Sequence, residues 1–337
     1  MIKFSNWLLS GFSDIDNVYE VLVQNRLIVN EVEWDDRNLE YRINEKEDMP
    51  LEIREILVCN NTRYIMFNVT VERQKRGWND FEVFEDKFNL HSEDVLIYEH
   101  NRSIKMIVLA TKKNAERIIK YMFPEDIWGH IEEDNQITKD VLYWVFNRLR
   151  EYRNEELADG TELYLTGLIS YMGKSKDEIN AVRGSGVRVS ALLGTLAFIF
   201  NNDNLKALRP EFQYRDHTVI TEIHLDNSNK IFEAYYRGEF EELDSIERNI
   251  AILLFTCKAI IPTMIRCYNI NRENNSWSPQ IKLNYLQQIG ISIKETVERE
   301  LNNIAEEIDR LNNNGYGEFD EEIENEEFEE HLEEILE

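Results

Sequence analysis

The sequence predicts an α+β fold: an N-terminal mixed α/β domain, then a second domain with a small antiparallel sheet and long C-terminal helices. Two observations favour this class. Short strand patterns separated by turn residues dominate the first two thirds of the chain, and helical spacing dominates from about residue 244. Apolar residues make up 42% of the 337 residues and aromatic residues 11%, which is enough for a packed core.

Residues 1–130 are expected to form the first domain. Apolar side chains three and four residues apart share one helix face, and this spacing predicts helices at 16–24 and 112–123. Alternating β-branched and aromatic residues predict strands. The expected strands cover 26–34, 39–43, 64–71, 95–99 and 104–110, with turns at 35–37 and 100–103.

Residues 131–315 are expected to form the second domain, reached through an irregular acidic bridge at 124–135. Asp244 and Glu247 have the spacing of a capping box, which marks a helix start. The expected helices cover 138–152, 187–200, 244–268 with a kink near Pro262, and 280–311. The expected strands cover 162–171, 208–214, 217–225 and 230–236, with a turn at 226–229.

The charge is concentrated at the C-terminal end. The net charge is −27, and residues 301–337 carry fifteen acidic residues and one basic residue. We therefore expect a separate acidic tail at 316–337, and no loose binding of DNA by bulk charge. Three cysteines are too few for a disulfide framework, no signal peptide is evident, and the apolar run 250–265 is shorter than the ~20 residues of a membrane span. The expected location is the cytoplasm, without a membrane.

The basic glycine-rich segment, residues 173–188, is the candidate site. It carries four basic residues and three glycines ahead of a predicted helix, where unpaired backbone N–H groups and the helix dipole favour an anion. Its glycine spacing matches neither common nucleotide-binding fingerprint, and the alternative is a surface loop in which the glycines turn the chain. The predicted ligand-binding residues are Lys174, Lys176, Arg183, Gly184, Ser185, Gly186 and Arg188.

These patterns predict recognition rather than catalysis. We expect an intracellular oligomeric protein that binds a phosphate-bearing ligand, a nucleotide or a nucleic acid, with no cofactor and no metal. Apolar residues interrupt the acids of the tail 316–337 at nearly helical spacing, so the tail is expected to modulate access or to bind a partner, unless it only solubilises the chain end. Size and composition alone, without a supporting motif, suggest an accessory protein of a bacterial phage-defence operon.

The main alternative is a protein–protein adaptor or assembly subunit without a small ligand. Five apolar residues repeat at alternating spacings of four and three along the last predicted helix, which is the pattern of a coiled-coil seam. The seam spans only two heptads, so the helix is also compatible with packing on its own domain. The seam residues are Val297, Leu301, Ile304, Ile308 and Leu311.

Two pairs of acidic and basic residues suggest chemistry less specifically. Glu85 and Lys87 share a face if their segment is a strand, as in Mg²⁺-dependent nucleases, but Asp80 and Asp48 are poor third members of such a site. Glu222 and His224 share a face of a predicted strand that has His217 on its other face. They could form a metal site or an acid–base pair, and the alternative is a half-exposed sheet face.

Overall fold

A computed structural model describes residues 1–30, 38–46, 49–175, 179–186, 189–201 and 204–313. It has the predicted α+β class, with a large antiparallel sheet and a long C-terminal helix. Residues Met1–Ile289 form one compact unit, and a second unit begins at Gly290.

Thirteen strands lie within the described residues, and all of their pairings are antiparallel. They are β1 (Ile2–Leu9), β2 (Leu27–Asn30), β3 (Leu39–Asn44), β4 (Arg54–Leu57), β5 (Asn61–Gln74), β6 (Phe88–His100), β7 (Ser103–Val108), β8 (Ile131–Glu133), β9 (Leu163–Lys174), β10 (Ala181–Ser185), β11 (Asn204–Tyr214), β12 (His217–His224) and β13 (Asn229–Ile231). Their order across the sheet is β10-β9-β11-β12-β13-β1-β7-β6-β5-β3-β2, with β4 beside β5 and β8 beside β1.

Helices account for most of the remaining described chain. They are α1 (Ile15–Gln24), α2 (Lys112–Met122), α3 (Glu125–Trp128), α4 (Lys139–Glu151), α5 (Leu193–Phe200), α6 (Ser245–Phe255), α7 (Ile261–Glu273) and α8 (Pro279–Asn313). A π-helical turn, Thr256–Ile260, joins α6 to α7. The Asp244 side chain accepts hydrogen bonds from the N–H groups of Ile246 and Glu247, so the predicted start of α6 is confirmed.

Strand β1 lies in the middle of the sheet and connects its two halves. β13 pairs with β1 at Ile2–Phe4, and β7 pairs with it along Ser5–Leu9. The short β8 also pairs with β1, at Trp7–Leu9. The side chain of Asn227 bonds to the backbone between the pairings of β13 and β8. Its Oδ1 accepts from the N–H of Asn6 at 3.1 Å, and its Nδ2 donates to the Asn6 carbonyl at 2.7 Å. Strands from before and after residue 130 therefore belong to one sheet, and the division of the chain at that residue stays a prediction.

Helices pack on both faces of the sheet. On one face, α1 and α2 bury Val18 and Ile118 in a core that includes Trp7 of β1 and Phe67 of β5. Successive strand residues point to opposite faces, so Asn6 points away from that core. There its side chain lies 3.4 Å from the sulfur of Cys257 in the π-helical turn. The π-helical turn and α7 thus lie on the opposite side of β1 from α2.

The structure corrects three local expectations. The bridge 124–135 contains α3 and β8, because Gly11 and Gly129 let the chain pass close to β1. The expected kink near Pro262 is a π-helical turn that ends just before it, at Ile260. The helix expected over 187–200 begins only at Leu193 in the described part of the chain.

Candidate phosphate-binding face

The basic glycine-rich segment forms the β9–β10 hairpin, and its expected position at a helix start is wrong. A 3₁₀ turn at Val189–Ala191 separates the hairpin from α5, so the backbone of Arg183 and Ser185 belongs to a strand instead. Lys176 and Arg188 lie outside the described residues. Within the described residues, β10 is the last strand of the sheet. The exposed predicted site residues are Lys174, Arg183, Ser185 and Gly186.

Packing explains two of the glycines in this hairpin. A Cβ at Gly184 would lie 2.2 Å from the ring of Tyr171, its cross-strand partner. A Cβ at Gly173 would lie 2.2 Å from the ring of Phe198 on α5. Aromatic rings therefore lie over both glycines. In the sequence these glycines look typical of a loop. In the structure they are required because the rings of Tyr171 and Phe198 leave no space for a side chain at Gly184 and Gly173.

Arg183 lies on the same sheet face as polar residues of β12, β13 and β1. Directly paired residues of antiparallel strands point to the same face, so their side chains form rows across the sheet. Alternation along β12 places the two rows of this region on one face. One row consists of Arg183, Met172, Ala207 and His224, and the other of Glu222, Lys230 and Lys3.

Four charged or titratable residues on this face form the Glu222 cluster, in which Glu222 and His224 are buried and Arg209 and Lys230 are half-buried. Glu222 accepts hydrogen bonds from Arg209 at 2.6 and 3.0 Å and from Lys230, and it lies 2.8 Å from His224 Nε2. Burial alone would raise the pKa of Glu222, but the hydrogen bonds from His224, Lys230 and Arg209 hold it well below its usual range.

The predicted pairing of Glu222 and His224 on one face is therefore confirmed, and the expected half-exposed face is wrong. The two residues are only 5% and 6% exposed. The guanidinium of Arg209 contacts the Phe232 ring at 4.0 Å, and the long side chains of Arg209 and Lys230 both bond to Glu222. His217 lies on the other face of β12, as expected, and its ring is 4.4 Å from that of Phe255.

A cavity of about 430 Å³, the basic pocket, adjoins this cluster. Two of its lysines are paired, Lys112 with Glu133 and Lys230 with Glu222. Lys3 and Lys113 are exposed and have no ion pair among the described residues. The side chains that line it include Lys3, Lys112, Lys113, Lys230, Met172 and His224.

The start of α2 gives the basic pocket a further positive contribution. Thr111 precedes the helix without a side-chain cap, and the N–H of Lys112 donates to Ser228 Oγ at 3.2 Å. The first turn contains Lys112 and Lys113 and no acidic residue. Cations at this end are unfavourable because the helix dipole is positive there. Glu116 and Asp226 also line the pocket, and Glu116 lies 4.0 Å from Lys112. A bound anion would relieve the remaining repulsion between the lysines and the helix end.

The other predicted sites have a different local structure or lie outside the described residues. Glu85 and Lys87 belong to a 3₁₀ turn, Phe84–Lys87, so the strand face that the nuclease interpretation requires is absent there. Asp48 and the acidic tail lie outside the described residues. Within the part of the chain that the structure describes, no group of three or more His, Cys, Asp or Glu side chains could hold a metal ion.

The residues of the seam lie on α8 and have exposed side chains. The exposed fraction of these residues ranges from 41% at Val297 to 70% at Leu311. The prediction of the helix itself, at 280–311, agrees closely with the observed Pro279–Asn313. Both interpretations of the seam, a helix packed on its own domain and an oligomer contact, stay predictions.

The basic pocket could not be predicted from the sequence, because its lysines come from separate segments. Lys3 is on β1, Lys112 and Lys113 begin α2, and Lys230 is on β13. One local signal was present: two lysines occupy the first turn of a predicted helix, where acidic residues are usual. Their proximity to Lys3 depends on the pairing of β1 with β13.

One helical stretch in the described residues, Ser245–Glu273, is long and apolar enough to cross a membrane. Of its most apolar window, 78% is buried inside the fold, as in a core helix, so the structure is compatible with a soluble protein. No protein-family model matches this chain, and the search of curated proteins found no match to its sequence.

Proposed function

We propose that this protein is a cytoplasmic recognition protein that binds a phosphate-bearing ligand, a nucleotide or a nucleic acid. One observation carries the proposal: Lys3 and Lys113 line a pocket at the start of α2 and have no ion pairs among the described residues. A phosphate group offers the charge that both lysines and the helix end favour. Arg183 lies beside the pocket, because its cross-strand partner Met172 is one of the residues that line it.

The test is the binding of a fluorescently labelled single-stranded oligonucleotide, measured by anisotropy, with ATP as a competing mononucleotide. We expect the affinity of the wild-type protein to fall between about 50 and 200 mM salt, because bound phosphates release counterions. The double variant Lys3→Glu/Lys113→Glu should bind at least about tenfold more weakly. Lys120→Glu, at the other end of α2, is the matched control and should bind as the wild type does. Equal affinity of the double variant and the wild type would refute the proposal.

The acidic tail is proposed to compete with the ligand for the basic pocket. Removal of residues 316–337 should then raise the affinity for the oligonucleotide and make its salt dependence steeper, because a competing anion is lost. An unchanged affinity at both salt concentrations would rule out this role. That this protein is an accessory protein of a phage-defence operon stays a prediction from size and composition.

The adaptor function is a second candidate, favoured by the exposed seam on α8. Apolar side chains that repeat at seam spacing and remain exposed are typical of a helix that pairs with another helix. Light scattering of Leu301→Lys and Ile308→Lys variants tests this function. The assembly should dissociate if the seam forms it, and an unchanged mass would exclude the seam as the contact.

A further inference from the structure

A second cavity, the neutral pocket, lies on the side of β1 that faces away from the basic pocket. Its volume is about 280 Å³. Tyr98 of β6 pairs with Lys105 of β7, and Lys105 pairs with Leu8 of β1, so these residues share one sheet face with Asn6. On the other side the pocket is lined by Cys257 of the π-helical turn and by Ile261, Pro262 and Ile265 of α7.

The π-helical turn brings Cys257 into the neutral pocket. Such a turn inserts an extra residue into the helix, is rare, and is frequent at functional sites. The Cys257 sulfur lies 3.4 Å from Asn6 Oδ1, and the backbone of Asn6 is held by Asn227. Burial raises the pKa of the Cys257 thiol, so this group is a protonated donor rather than a nucleophile.

The hydroxyl of Tyr98 has no hydrogen-bond partner within the described residues, although Tyr98 is only 1% exposed. It lies within electrostatic range of Cys257 and Asp134, which also line the pocket. Tyrosine hydroxyls usually find a hydrogen-bond partner, and Tyr98 lines the neutral pocket, so a ligand there could supply one.

The neutral pocket carries balanced charge. Lys105 Nζ donates to Asp134 at 2.6 Å, so the cation and the carboxylate compensate each other. Burial, with smaller contributions from Lys105 and Lys258, lowers the pKa of His100 to about 4, so His100 is neutral at pH 7. An isolated phosphate or carboxylate would find no unpaired cation here, and its desolvation would go uncompensated.

We propose that the neutral pocket binds an uncharged heterocycle that carries hydrogen-bond donors and acceptors side by side, of the kind that nucleobases present. Tyr98, Asn6 and the Lys105–Asp134 pair offer both donors and acceptors to such an edge. Ile261, Pro262 and Ile265 offer an apolar wall to its ring. This combination of a few convergent polar groups with apolar walls is typical of small-molecule sites.

The experiment titrates the wild-type protein with adenosine, guanosine, cytidine and uridine, which carry no phosphate, by isothermal calorimetry. At least one nucleoside should bind saturably, and Tyr98→Phe should weaken it about five- to tenfold, as expected for one buried hydrogen bond. Tyr235→Phe is the matched control, because Tyr235 is exposed and outside the pocket. Binding of no nucleoside, or equal binding by Tyr98→Phe, would overturn the proposal.

A second measurement avoids any substitution. The thermal unfolding midpoint of the wild-type protein should rise with the concentration of the nucleoside that binds, because a ligand that binds only the folded state stabilises it. A midpoint that no nucleoside changes would overturn the proposal. Free amino acids or monosaccharides that raise the midpoint more than any nucleoside would show that the ligand class is wrong.

Discussion

The two pockets on opposite sides of β1 differ in how their charges are balanced. The basic pocket contains Lys3 and Lys113 without ion pairs among the described residues, whereas the neutral pocket pairs its Lys105 with Asp134. Both pockets lie in a chain of net charge −27. The difference shows that local pairing, rather than net charge, decides which ligand charge a surface favours.

The largest effect is expected from Glu222→Ala, which removes the acid that balances the cations beside the basic pocket. Arg209 and Lys230, which are 17% and 24% exposed, would lose the carboxylate that pairs with both of them. We expect a cost at the lower end of the ~3–5 kcal/mol that follows the loss of one member of a buried pair. Urea denaturation would measure this loss in the free energy of unfolding. Glu132→Ala on β8 is the exposed control and should cost less than about 1 kcal/mol. An equal loss of unfolding free energy in Glu222→Ala and Glu132→Ala would show that the Glu222 cluster does not stabilise the fold.

The substitution Asn227→Ala tests the connection between the two sides of β1. It removes both side-chain hydrogen bonds to the backbone of Asn6 and places alanine at a φ of 58°. We expect a loss of about 2–3 kcal/mol in the free energy of unfolding, measured by urea denaturation. Asn154→Ala, at an exposed position with a φ of 63°, controls for the backbone effect alone. A cost no larger than that of Asn154→Ala would contradict the bridging role.

The neutral pocket should make stability depend on pH below neutrality. The pKa of His100 is lowered to about 4 in the folded protein, so between pH 6.5 and 4 the unfolded chain binds a proton that the folded protein does not. Stability therefore falls as the pH falls through this window, and His100→Gln should remove part of the fall. Thermal melts from pH 7 to 4 would measure it, with the exposed His130 changed to Gln as control. Curves of His100→Gln that run parallel to wild type would contradict this assignment.

The smallest effect is expected from Arg183→Gln, at the margin of the basic pocket. If Arg183 contacts a phosphate of a longer ligand, the oligonucleotide affinity should fall a few-fold and the salt slope by about 1. Arg299→Gln on α8, also an exposed arginine, is the matched control. A salt slope equal to that of the wild type would confine the ligand to the pocket itself.

The helices could be predicted well because their signals are local. The spacing of Val18 and Leu22 in α1, and of Ile118 and Met122 in α2, directly reports the buried face of each helix. β10 was not predicted, because its glycine is typical of a turn or loop. The residue whose ring covers Gly184, Tyr171, is thirteen positions away in the chain, so no local pattern reports this contact.

The candidate sites were harder to predict than the helices. Arg183 was identified from the sequence, and the structure places it beside Met172 of the basic pocket. Lys3 gave no signal, because a single lysine near a chain end is ordinary. Tyr98 looks like any core residue of a strand, and only its missing hydrogen-bond partner among the described residues distinguishes it.

The α+β class, most helices and strands, the apolar spacing along α8 and the concentration of acid at the C-terminal end could be read from the sequence. These features follow from periodicity and composition, which act over a few residues. Only the tertiary structure decided that the glycine-rich segment is an edge hairpin and that β1 separates a basic from a neutral pocket. Both depend on strand pairing over long sequence separations, such as Lys3 with Lys230, and no local pattern specifies such a pairing.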